Sequence, residues 1–214
     1  LISEFPKELF MATYTWVDLR HSEAALLADL HGIKADLESA RDFALSWRGG
    51  GDSVWPALQW GEALSIAMVV KYSRPFRTGV RARLEEDALS LLDQRQREAH
   101  EYLLAYRDKH IAHSVNGYEH NQARLNYCVE RVAEEGFTDV SCSHARVVGL
   151  NGQRMNDLVE LCGVFLSDVE QRIEAERRRL LALFRAMPLG ELLKAGQSGF
   201  SAERLGRVSE RRKP

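Results

Sequence analysis

The stretch from Val54 to Thr78 constrains the fold of this chain more than any other. It carries Trp55, Leu58, Trp60, Leu64, Ile66, Met68, Val69 and Val70, and Glu62 is its one acid between Asp52 and Glu85. Ser53 can cap it, Pro56 suits its first turn, and Pro75 kinks or ends it. A helix that is apolar on most sides belongs at the centre of a bundle or at an interface between subunits. The rest of the chain should therefore supply helices that pack around it.

Three such helices are readable. From Asp18 to Trp47, Leu26/Leu27, Leu30, Ile33, Leu37, Phe43/Ala44 and Trp47 recur at threes and fours, and Gly49-Gly50-Gly51 ends the pattern. A third helix is expected over Leu84–His113, opened by Glu85, Glu86 and Asp87 and closed by Asn116-Gly117. The last runs from Met155 to Ala186 through Leu158, Leu161/Cys162, Phe165/Leu166, Val169, Ile173, Leu180 and Phe184, with Pro188 beyond it. Between the third and last helices the period changes. Leu125, Tyr127 and Val129 alternate, as do Val140, Cys142 and His144, with Glu135-Gly136 between, which predicts a short β-hairpin over 124–148. The expected fold class is mainly α: a four-helix bundle with a β-hairpin inserted before the last long helix.

The chain has 214 residues, enough for one domain with a sizeable core. Its formal charge of −2 supplies no global field to recruit nucleic acid, so any RNA contact must be local. Three cysteines without framework spacing argue for a reducing, cytoplasmic setting. No apolar run reaches the roughly 18–20 residues of a membrane span. Residues 1–11 are read as a cloning remnant or disordered N-terminus, residues 12–187 as the helical domain, and residues 188–214 as a basic, mobile tail carrying Arg204, Arg207, Arg211, Arg212 and Lys213.

One local anomaly remains, in Tyr106-Arg107-Asp108-Lys109-His110-Ile111-Ala112-His113-Ser114. At about 100° per residue, Leu103, Leu104 and Ile111 fall within roughly 60° of Arg107, so the guanidinium lies on the apolar stripe. An Arg there needs a partner or a functional cavity. His113 would lie about 120° round from Arg107 on an unbroken helix. The two can meet at one phosphate only if the helix breaks or a second copy contributes.

An Arg, a polar residue, and a His four to six residues after the Arg form the signature of HEPN domains. Arg107-Asp108 with His113 resembles it, and the surrounding residues look most like the abortive-infection-type branch of that superfamily. The resemblance covers residues 12–187 in architecture and this one segment in motif. It implies a HEPN-like helical bundle and a metal-independent endoribonuclease, of the toxin or anti-phage defence type. It also implies a homodimer in which Arg107 and His113 from two copies form a composite catalytic site, with Asp108 orienting the site or binding the neighbouring Arg. An antitoxin or other regulatory protein would hold it in check. A non-catalytic HEPN-like dimer serving interaction or sensing is the alternative, and a small-molecule or metal-binding helical protein is a third.

The chemistry is consistent with the residue types. Imidazole can take and give protons near neutrality, and guanidinium offers phosphate a planar, permanently charged fork. The competing structural reading is a buried Arg paired with an acid, beside two histidines favoured by a helix C-terminus. His110, Lys109 and Glu62 are possible supporting residues, with Glu62 a candidate partner for Arg107. Arg74, Arg77 and Arg81, in a positive cluster with Lys71 and Arg83, are candidates to guide RNA phosphates, and Tyr72 and Phe76 to stack on bases or to fill the core. His110, His113, His120, His144, Cys128 and Cys142 lack dense metal-ligand spacing, and Gly49-Gly50-Gly51 lacks the Lys-Ser/Thr of a phosphate loop. No cofactor or metal is expected.

Overall fold

A computed structural model describes residues 22–49, 54–78, 82–111, 119–146, 149–188 and 190–192. Residues 1–11 and the tail beyond 192 lie outside that set, as do the side chains of Trp55 and Leu58. The described chain is mainly helical, with one two-stranded antiparallel sheet. After a 3₁₀ turn at Ser22–Ala24 come α1 (Ala25–Gly49) and α2 (Val54–Ser73), then a second 3₁₀ turn at Arg74–Phe76. A short α3 (Glu86–Leu89) precedes α4 (Gln94–Tyr106), which continues into a π-turn at Arg107–Ile111. Strands β1 (Glu119–Asn126) and β2 (Asp139–Arg146) enclose a single helical turn, α5 (Val132–Glu135), and α6 (Gly152–Arg185) follows.

The core forms where the apolar stripes of α1, α2, α4 and α6 meet. Leu30, Ile33, Leu37, Ala40 and Ala44 of α1 are buried at steps of three and four, the spacing of one helix face. From α6, Leu158, Leu161, Cys162, Phe165 and Val169 meet them, and α2 adds Met68, Val69 and Tyr72. Ala99, Leu103 and Tyr106 come from α4. Fully burying one leucine such as Leu37 contributes about 1.5–3 kcal/mol, so these stripes outweigh any single polar contact. At the α1–α2 crossing, a Cβ on Gly61 would lie 2.1 Å from the Trp47 ring, so the indole rests directly on the α2 backbone.

Polar ties fix how the helices meet. Asp36, buried on the core side of α1, accepts hydrogen bonds from Lys71 and Arg74, each at 3.0 Å. Arg95 of α4 reaches Asp157 at 2.9 Å and also Glu160, joining α4 to α6. Asn151 caps α6, accepting from the Arg154 amide at 2.9 Å.

Several expectations are corrected. The helix expected over Leu84–His113 is interrupted after Leu89 and restarts at Gln94. The cause is Asp93, whose carboxylate accepts from the Gln96 amide at 2.7 Å while the Gln96 side chain accepts from the Asp93 amide at 3.1 Å. That reciprocal pair is a capping box, and it starts a new helix. Expected to Thr78, α2 stops at Ser73, where Pro75 sits in the 3₁₀ turn. It is not enclosed on all sides either: Trp60 is 68% exposed.

The hairpin is present, and β1 begins earlier than expected, with Glu119 opposite Arg146 and Asn126 opposite Asp139. Gly136, in the connection, has φ of 66°, the left-handed region glycine tolerates best. Leu125 and Val140 face each other across the ladder, yet both are exposed, so the alternation here does not mark a covered face. Tyr127 and Val129 lie beyond the end of β1. Cys142 stands opposite Ala123 in the ladder, and all three cysteines are free thiols.

Candidate functional site

The π-turn at the end of α4 positions the residues singled out by the motif. The i→i+5 pattern widens the helix, and such turns occur often at functional sites. Arg107 is the first residue of the turn and Asp108 the second. His113 lies outside the described residues, and so does Arg81.

Arg107 is not buried as its place on the stripe implies: its side chain is 39% exposed. Its ion-pair partner is Asp108, at 3.0 Å from Nη1 to Oδ1, and not Glu62, which is half-buried on α2. Asp108 is itself held from the other side. Arg77, from the segment after α2, donates Nη2 to Asp108 Oδ2 and reaches the Leu104 carbonyl oxygen at 3.4 Å. One carboxylate thus sits between two guanidiniums, that of its neighbour Arg107 and that of Arg77, 31 residues before it.

Of the remaining expected residues, Lys109 is exposed and His110 half-buried. The His110 ring lies 4.8 Å from that of Tyr106, which stacks on Tyr102 at 6.1 Å, and Arg154 lies 4.1 Å over the Tyr102 ring. Arg74 is joined to Asp36 at 3.0 Å and remains 49% exposed. Neither Tyr72 nor Phe76 is available to a base. Both pack into an aromatic cluster with Phe165 and His100.

That cluster contains a residue the periodicity did not single out. His100 is buried on α4, with Nδ1 2.7 Å from the Tyr72 hydroxyl. Burial pushes the Tyr72 phenol well above its ordinary pKa, so it stays protonated and donates, leaving the imidazole proton on Nε2. His100 itself is pushed down to about 4, first by burial and then by the nearby charges of Arg77 and Arg97. The sign of it in the sequence is its place three residues before Leu103 on the apolar face of α4. Arg77 thus stands between this neutral imidazole and Asp108. Its Nε is the buried side-chain polar atom without a hydrogen-bond partner among the described residues.

The arrangement can do two things chemically. It presents Arg107 and Arg77 to solvent with their forks oriented, which suits a phosphodiester. It also keeps His100 uncharged beneath them. Among the described residues no group of three or more His, Cys, Asp or Glu is placed to hold a metal ion, and no helix is long and apolar enough to cross a membrane. Comparison with models of protein families, with curated proteins and with solved structures returns no match.

Proposed function

We propose that this chain is a HEPN-like, metal-independent endoribonuclease of the toxin or anti-phage defence type. It acts in the cytoplasm as a homodimer, and a regulatory protein restrains it. In this reading α1, α2, α4 and α6 are the four helices of a HEPN-like bundle, and Arg107 and His113 from two copies form the site. The observation that carries it is Arg107: a half-exposed guanidinium at a π-turn, oriented by Asp108. Asp108 meets one edge of this guanidinium, at Nη1. Arg107 keeps part of its fork toward solvent, where a phosphate can reach it. The exposed Trp60 and Ile66 on α2 supply apolar surface that suits a second copy.

The test is cleavage of single-stranded RNA in EDTA by the parent, His113→Ala and Arg107→Lys. The parent should cut. His113→Ala should lose about 10²–10⁴-fold, the range for lost acid–base catalysis, with the fold intact. Arg107→Lys keeps the charge but loses the bidentate fork, and its rate should fall steeply. A folded, dimeric His113→Ala protein that cuts as fast as the parent sinks the reading. A parent that dimerises but never cuts leaves the non-catalytic module.

A further inference from the structure

We infer that Arg77 and Arg107 form a two-arginine cradle for an RNA phosphodiester, and that the Asp108 carboxylate occupies this cradle when RNA is absent. The inference rests on the ribonuclease reading for the identity of its ligand and concerns how that same site is regulated.

Three observations carry it. Among the described residues, Arg77 and Arg107 each form their ion pair with the same acid, so two positive charges share one negative charge. The cluster therefore keeps a net charge of about +1 with Asp108 in place, and about +2 if Asp108 turns away. Next, all three side chains are partly open to solvent, at 38% for Arg77, 39% for Arg107 and 41% for Asp108. An outside anion can reach the forks without unpacking the core. Last, Arg77 has contacts besides Asp108. Its Nη2 also meets the Leu104 carbonyl oxygen, and its Nε is enclosed. In this inference the Leu104 carbonyl oxygen keeps hold of the guanidinium when the carboxylate leaves.

A carboxylate and a phosphodiester present the same pair of oxygen acceptors to a guanidinium fork. Asp108 has the advantage of being tethered, so it competes at high effective concentration. An RNA strand brings many phosphates and releases counterions as it binds, so it can displace a single tethered acid where a lone phosphate ion cannot. Asp108 thus lowers the affinity for small anions and reserves the cradle for a polyanion. Arg77, 30 residues from Arg107 in sequence, supplies half of the cradle and outlines where the scissile phosphate sits relative to α2.

The experiment uses a single-stranded deoxyoligonucleotide, which lacks the 2′-hydroxyl and cannot be cut, with affinity read by fluorescence anisotropy over a salt series. Asp108→Asn removes the competing charge and keeps the shape. It should bind about 5–20-fold tighter than the parent, and its slope of log affinity against log salt should steepen by about 0.7, one more phosphate neutralised on a single strand. Adding Arg77→Ala to Asp108→Asn should return both quantities to the parent values or below. Inorganic phosphate should bind Asp108→Asn measurably and the parent more weakly. Equal or weaker binding by Asp108→Asn overturns the inference, as does a gain that survives Arg77→Ala. If Asp108→Asn does not fold by circular dichroism, Asp108→Ser makes the same test. The outcome separates from the ribonuclease reading: a parent that cuts RNA while Asp108→Asn binds no tighter keeps the activity and rejects the cradle. A parent that never cuts, with tighter binding by Asp108→Asn, does the reverse.

Discussion

Acidification should destabilise this protein through His100 in particular. The group is buried against Tyr72, Phe76 and Phe165, with Arg77 and Arg97 near enough to disfavour its charge. Its pKa stands at about 4 in the fold against an ordinary value of 6.5. The folded value is the lower one, so the unfolded chain binds the proton more readily. Stability from this group is therefore fully present above pH 6.5 and is lost as the pH falls toward 4. A gap of about 2.5 in pKa corresponds to about 3 kcal/mol. The assay is urea denaturation followed by far-UV circular dichroism between pH 4 and 8, comparing the parent with His100→Asn. Asparagine places an oxygen near the position of Nδ1 and can still accept from Tyr72, but it does not titrate. At pH 7.5 the variant should be the less stable, having lost part of a packed ring. Between pH 6.5 and 4 the parent should lose about 3 kcal/mol that the variant does not, so the two curves converge or cross. Parallel curves would refute the argument, because the proton would then bind elsewhere.

Removing the cap in Asp93→Ala should lower stability by about 1 kcal/mol in thermal melts, since it leaves the first amides of α4 unsatisfied. Gly61→Ala forces a methyl into the Trp47 ring and should cost about 1–3 kcal/mol, with Trp47→Leu in the same chain recovering much of it. Cys162 is buried, and burial pushes its thiol up to about 12, so a thiol reagent at pH 8 should label the exposed Cys142 and the half-buried Cys128 quickly and Cys162 only in denaturant. Rapid native labelling at all three positions would contradict the packing of α6.

The helices were legible in the sequence where one side of each alone had to be buried. Ile33, Leu37 and Ala40 in α1, and Leu158, Cys162 and Phe165 in α6, repeat at three and four because nothing else competes for those positions. The break before α4 was harder to see, since Leu84, Ala88, Leu92, Ala99 and Leu103 are all buried and sustain an apolar pattern across it. The Asp-x-x-Gln of Asp93 and Gln96 was the available signal, and it is a short-range one that periodicity averages away. Asp36 sits on the stripe between Ile33 and Leu37, and reading it needs the cations of Lys71 and Arg74, more than thirty residues on. The same limit applies to the site. Arg107 and Asp108 announce themselves locally, whereas the pairing of Arg77 with Asp108 depends on where the segment after α2 comes to rest. The hairpin was legible in its alternation but not in its exposure, because a period of two reports strand geometry and not what covers it.

The π-turn has a consequence for how such a chain can change by insertion and deletion. It holds one residue more than the regular helix would need. In a regular helix, losing one residue turns everything beyond it by about 100° and drags a packed stripe off its neighbours. Here Leu103 and Tyr106 lie before the turn, Ile111 at its end packs only partly against the core, and the exposed hairpin stands between the turn and α6. Deleting Lys109 would let the backbone relax into an ordinary α-helical end while the packed part of α4 stays where it is. The packed part of α4 would survive the loss, and the residues after Asp108 would take up the change in register. A lineage could thus gain or lose a residue at this turn in one step and keep the packed part of α4.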